Sequence, residues 1–136
     1  MKVREIMSRP VVAISPWGSI RTALGLMREN DIGALPVVGE DILVGIVTDR
    51  DIAFALARDA TRDTLVCTFM TRHPASCRAD EEVARAAEIM GDRQVRRLPV
   101  LDRDDRLAGV LSLGDIAERV SEELAGQTLG EICERR

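Results

Sequence analysis

A chain of 136 residues suits one modest globular domain or two tightly fused halves. Its aromatic residues are Trp17, Phe54 and Phe69 alone, and its formal net charge is −4. That balance argues against an unspecific single-strand nucleic-acid binder, which needs stacking rings and a basic groove. Lys2 is the one lysine, so a buried catalytic lysine is nearly excluded, while planar recognition of phosphate by Arg stays open.

In chain order, Met1-Lys2-Val3-Arg4-Glu5 leads into a charged, turn-rich segment rather than the apolar core of an export signal. No apolar run approaches the ~20 residues of a spanning helix, so no membrane partner and a cytoplasmic location are expected. Pro10 to Ser15 reads as a short extended segment, and Pro16-Trp17-Gly18-Ser19 as a turn. A helix is predicted from Ser19 to Asn30. Ser19 is its cap, and Ile20, Ala23, Leu24 and Met27 form one apolar stripe. Leu35 to Val38 and Ile42 to Val47 are predicted strands, turned by Gly39-Glu40-Asp41. A second helix starts near Asp49, with Ile52, Ala53, Leu56 and Ala57 as its stripe.

The same order follows again. Glu81 to Gly91 is predicted helical, Leu98 to Leu101 and Leu107 to Leu111 are strands, and Leu113 to about Leu124 is a closing helix ended near Gly126. Thr61 to Asp63 is the best boundary, giving a first repeat over 1–62 and a second over 63–136. Neither half, at ~60–70 residues, would bury its sheet comfortably alone.

The repetition is literal. Ile32-Gly33-Ala34-Leu35-Pro36-Val37-Val38 returns as Val95-Arg96-Arg97-Leu98-Pro99-Val100-Leu101. Gly45-Ile46-Val47-Thr48-Asp49-Arg50-Asp51-Ile52 returns as Gly109-Val110-Leu111-Ser112-Leu113-Gly114-Asp115-Ile116. The opening Val3-Arg4-Glu5-Ile6-Met7-Ser8-Arg9-Pro10 returns at Val66-Cys67-Thr68-Phe69-Met70-Thr71-Arg72-His73-Pro74. Two such units are expected to pack about a pseudo-two-fold axis, with clefts between them where small ligands sit.

Three ordered motifs in duplicate make the whole chain resemble a pair of cystathionine-β-synthase (CBS) domains, a Bateman module of the small stand-alone bacterial type. The resemblance implies an α/β fold of two tandem β-α-β-β-α repeats, homodimers, and an adenosine-containing ligand in the clefts between repeats. AMP, ADP, ATP and S-adenosylmethionine are all open as that ligand, and no other cofactor is expected. It implies a regulatory module acting on a protein partner whose identity stays unknown.

Site residues follow from the residues and the resemblance together. Thr48 and Asp51, and Ser112 and Asp115, stand at strand-to-helix junctions. A hydroxyl there can meet a phosphate or ribose oxygen, and a carboxylate three residues on can accept ribose hydroxyls. The same Ser/Thr-x-x-acid spacing is that of a capping box, which needs no ligand. Arg96 and Arg97 replace Gly33 and Ala34 of the first copy; Arg offers a donor fork that fits phosphate, or else a solvated pair beside Asp92. Ile14, Ser15, Leu35 and Pro36 in one half, and Arg78, Ala79, Leu98 and Pro99 in the other, are expected to line base and sugar. Thr48 and Asp51 are expected to share a site with Arg97.

Catalysis is not expected. There is no G-x-G-x-x-G after a strand, no P-loop and no nucleophile triad, and the lone His73 precedes a proline. Cys67, Cys77 and Cys133 are widely spaced and form no C-x-x-C pair, so reduced thiols and no metal site are expected. Two rival functions remain: an adaptor that keeps the fold and binds no nucleotide, and a redox or metal sensor through the cysteines.

Overall fold

Ser19 does what its position suggests. Its hydroxyl accepts the Thr22 N–H at 3.1 Å and opens α1 (Ile20–Asn30). The helix stops where Asp31 turns left-handed, at φ 51° and ψ 51°. Ile20, Ala23 and Met27 are buried on one stripe, as the periodicity requires, whereas Leu24 stays exposed. The chain then forms β1 (Ala34–Gly39), β2 (Ile42–Thr48) and α2 (Asp49–Ala57). Only Glu40 and Asp41 separate β1 and β2, and both have positive φ, as a tight hairpin turn demands.

The later elements are β3 (Thr71–Arg72), β4 (Cys77–Arg78), α3 (Val83–Arg93), β5 (Arg97–Leu101), β6 (Leu107–Ser112), α4 (Leu113–Arg119) and α5 (Glu122–Ile132). Short 3-10 turns stand at Val3–Glu5 and Val66–Thr68. The computed structural model describes residues 1–136. α3 begins two residues later than the pattern suggests. Glu81 is drawn into the preceding turn, where its carboxylate accepts the Arg78 N–H at 3.1 Å.

Contacts divide the chain into two units, Val12–Pro74 (the first) and Met1–Val11 with Ala75–Arg136 (the second). These units cross the repeat boundary at residue 62, because the opening motifs are exchanged between the two sheets. Thr71 and Arg72, from the second opening, pair antiparallel with Ile46 and Gly45 of β2. Ser8, from the first opening, bridges to Val110 of β6. Each opening thus completes the sheet of the other sequence copy.

In the first unit the sheet order is β1-β2-β3, extended by a parallel bridge from Ile14 to Val37. Its core gathers Ile14, Ile20, Ala23, Met27, Leu35, Val37, Val47, Ile52 and Val66. The second unit has the order β4-β5-β6, with β4 parallel and β6 antiparallel to β5. Val3 and Ile6 join its core beside Val83, Met90, Leu98, Val100, Leu111 and Ile116. The architecture is therefore mixed α/β in two tandem repeats, each built on three strands and flanking helices.

The expected single closing helix is instead two. α4 ends at Arg119, and Ser121 starts α5 by accepting the Leu124 N–H at 3.1 Å, with Glu122 and Glu123 in the first turn. Gly126, read from sequence as a stop, lies inside α5. α5 packs on α3 where α3 is smallest: Ala87 is buried, and a Cβ at Gly91 would collide with the Glu131 side chain. Arg136 donates to the Gly91 and Asp92 carbonyls, at 3.2 and 2.9 Å. Gln94 Nε2 donates to the Glu131 and Glu134 carbonyls, at 3.3 and 2.6 Å. These bonds tie the C-terminal ends of the two helices together.

Candidate functional site

Both strand-to-helix junctions carry complete capping boxes. Thr48 Oγ1 accepts the Asp51 N–H at 3.0 Å, and Asp51 Oδ2 accepts the Thr48 N–H at 3.0 Å. Ser112 Oγ accepts the Asp115 N–H at 3.0 Å, and Asp115 Oδ2 accepts the Ser112 N–H at 2.9 Å. The motif pair is therefore first a device for starting α2 and α4. In each carboxylate Oδ1 is left without a protein donor, and both groups are half-buried.

The residues leading into β1 and β5 lie beside these junctions. The Asp49 N–H donates to the Gly33 carbonyl at 3.0 Å, and the Leu113 N–H to the Arg96 carbonyl at 2.8 Å. The backbone is the same, but the charge is opposite. In the first unit the Asp49 carboxylate lies against Gly33, 3.1 Å from where a Cβ would stand. In the second unit Arg96 and Arg97 are exposed, and neither guanidinium makes an ion pair or a hydrogen bond to protein. Asp49, which the motif reading passed over, makes the first junction acidic; the second is basic.

A groove of about 440 Å³ opens at the second junction. Arg96 and Arg97, the junction residues Ser112, Leu113 and Gly114, Ala117 of α4, and Ala125, Gly126 and Leu129 of α5 line it. That volume falls within the ~300–1,000 Å³ range of small-molecule sites, and the lining joins apolar surface to a few polar groups. The α5 contribution is marked by neither duplicated motif, since α5 lies beyond both.

Other expected lining residues are placed differently. Ile14, Leu35 and Leu98 are at most 5 % exposed, and their side chains are spent on the cores. What Ile14 offers is backbone: its N–H donates to the Pro36 carbonyl at 3.0 Å, and its carbonyl accepts from Val38 at 2.9 Å. Pro36 and Pro99 are buried within β1 and β5. Ser15 is exposed, its hydroxyl accepting the Trp17 N–H at 3.2 Å. Arg78 is committed elsewhere, pairing with Asp105 and donating to the Asp102 carbonyl at 2.8 Å. Asp105 holds the Arg78 guanidinium above its ordinary pKa. Thr48 and Asp51 belong to the first unit and Arg97 to the second.

No cluster of three His, Cys, Asp or Glu side chains is placed to hold a metal ion, and the three cysteines are unpaired. No helix is long and apolar enough to cross a membrane.

Comparison with known proteins agrees with the fold. Hypoxic response protein 1 of Mycobacterium tuberculosis is 34 % identical over 133 residues, 96 % of this chain and 92 % of its own length. A crystal structure of Hypoxic Response Protein I with two coordinated zinc ions matches at TM-score 0.81 and 32 % identity, over 88 % of this chain and 99 % of that one. The CBS domain pair of protein MJ0100, in complex with 5-methylthioadenosine and S-adenosyl-L-methionine, matches at TM-score 0.77 and 32 % identity, over 87 % and 94 %. CBSX2 in complex with AMP matches at TM-score 0.75 and 27 % identity, over 86 % and 93 %. The CBS domain family model matches twice, at residues 3–58 and 66–122. With both duplicated motifs at equivalent strand-to-helix junctions and two family matches along its length, the chain belongs to the CBS domain family as a tandem pair.

Proposed function

We propose that this protein is a ligand-sensing regulatory module, without catalysis of its own, that binds an adenosine-containing nucleotide and passes its occupancy to a protein partner. The candidates are AMP, ADP, ATP and S-adenosylmethionine. The observation that carries the reading is the pair of unpartnered arginines lining the second unit's groove together with Ser112, the capping partner of Asp115, whose carboxylate has a free oxygen. Arg96 and Arg97 suit a phosphate, and Asp51 and Asp115 suit ribose hydroxyls. The similar MJ0100 and CBSX2 structures, with adenosyl compounds and AMP bound, support the ligand class. A cytoplasmic setting and a homodimer are parts of the same proposal. Binding regulates only if the ligand has different affinities for two states of the module.

The rival reading is a ligand-free adaptor, favoured by the completeness of both capping boxes. Calorimetric titration with AMP, ADP, ATP, S-adenosylmethionine and adenosine decides between them. Saturable heat for an adenosine compound is expected, weakened about 10- to 100-fold by Asp51→Ala or Asp115→Ala, the loss of charge-assisted hydrogen bonds worth about 1.5–3 kcal/mol. Absence of binding across the panel would leave the adaptor.

A further inference from the structure

We propose that α5 is a wall of the ligand site in the second unit, and that the space beside Gly126 and Leu129 sets what that site admits: a nucleotide whose phosphate is taken by Arg96 and Arg97. This rests on the adenosine-binding reading and adds a part of the chain that neither duplicated motif contains.

One side of α5 is anchored: Thr128 is buried, Leu124 and Ile132 pack against the core, Ala125 is buried at the border with the groove, and Arg136 and Gln94 tie the helix end to α3. The other borders the groove and presents Gly126 and the 40 %-exposed Leu129. A Cβ at Gly126 would meet nothing within 4 Å, so no close packing requires this glycine. Glycine inside a helix is less favourable than alanine. At Gly126 its effect is to leave open the groove that the two arginines also line. The first unit has no such wall: α2 is followed by turns from Arg58 to Leu65, without a helix. The two junctions thus differ in enclosure as well as in charge, and phosphate-dependent binding belongs to the second.

The test is calorimetric titration of the full chain with AMP, comparing Gly126→Trp with Gly130→Trp. Both positions are exposed on α5 with open space around a Cβ, but only Gly126 borders the groove. Gly126→Trp is expected to weaken AMP at least tenfold or remove one site from the stoichiometry, and Gly130→Trp to leave both unchanged, with similar thermal midpoints. If the tryptophan unfolds the helix, Gly126→Leu fills the same space with a good helix former. Binding by the unsubstituted chain that Gly126→Trp or Gly126→Leu leaves intact, or that Gly130→Trp weakens equally, overturns the role of α5 alone. No binding of AMP by the unsubstituted chain overturns it too; if the rest of the adenosine panel also fails, the adenosine reading falls with it.

Discussion

Gly45 and Gly109 are the tightest points of the two sheets, and they are equivalent positions of the two copies. A Cβ at Gly45 would stand 2.7 Å from Met70 Sδ and 2.9 Å from the Thr71 carbonyl oxygen. At Gly109 the same atom would stand 2.6 Å from Met7 Sδ and 3.0 Å from the Ser8 carbonyl oxygen. In each case the intruder is the opening motif that pairs across the exchange. Gly45→Ala and Gly109→Ala should each cost about 1–3 kcal/mol through overpacking. Gly126→Ala, with free space, should stabilise by up to ~1 kcal/mol through helix propensity. Denaturant midpoints at unchanged slope measure both signs. Cysteine chemistry is equally local. Burial, reinforced by the Glu81 charge, pushes the Cys77 thiol from 9.0 up to about 12. The unfolded thiol ionises near 9.0 while the folded one stays neutral, so the folded state binds more protons between those values. The contribution of Cys77 to stability is therefore intact below pH 9 and lost progressively as pH rises toward 12. At pH 8 a thiol reagent should modify exposed Cys133 in the native chain and reach Cys77 only after unfolding.

Among the elements, α5 shows how one cap residue reorganises a helix. Ser121 ends one helix register and begins another, and the new helix covers α3 and α4. Ser121→Ala should cost about 1 kcal/mol, seen as a lower denaturation midpoint. Ala125→Glu should cost more, because it places a charge in a position only 6 % exposed within the second core; loss of cooperative unfolding is the expected readout. The position of Ser121 before two glutamates was a legible start signal. The pattern reading lost it because the apolar stripe of α4 continues through Val120 and Leu124. By contrast, α1, the two hairpins and the start of α2 were read closely, since caps, turns and periodicity are all local there.

At the scale of the whole molecule, the unsettled surface is on α1 and α2 of the first unit. Leu24, Phe54 and Leu56 are exposed there, and the Arg50 guanidinium lies 5.4 Å from the centre of the Phe54 ring. Within the proposed homodimer, Phe54 is the interface candidate. Leu124 of α5 packs against the second core and itself leaves no comparable apolar surface. Light scattering should return about 30 kDa, twice the 15.0 kDa chain. Phe54→Ser should shift that mass toward the single chain without changing the melting of a monomer; a mass of one chain at micromolar concentration for the unsubstituted protein would remove the dimer.

The amino-acid sequence by itself determined the duplication, the order of strands and helices within each copy, the two capping boxes and the charge difference at Arg96 and Arg97. All of these are set by neighbours in sequence or by a repeat visible as identity. Tertiary structure decided which opening motif completes which sheet, because strand pairing is chosen by contact rather than by adjacency. It also decided that Ile14, Leu35 and Leu98 face inward, since a strand has two faces and only packing selects the buried one. Finally, only the folded chain could bring Ala125, Gly126 and Leu129 of α5 together with Arg96 and Arg97, about thirty residues away in sequence, and so make a groove where the motifs alone mark a junction.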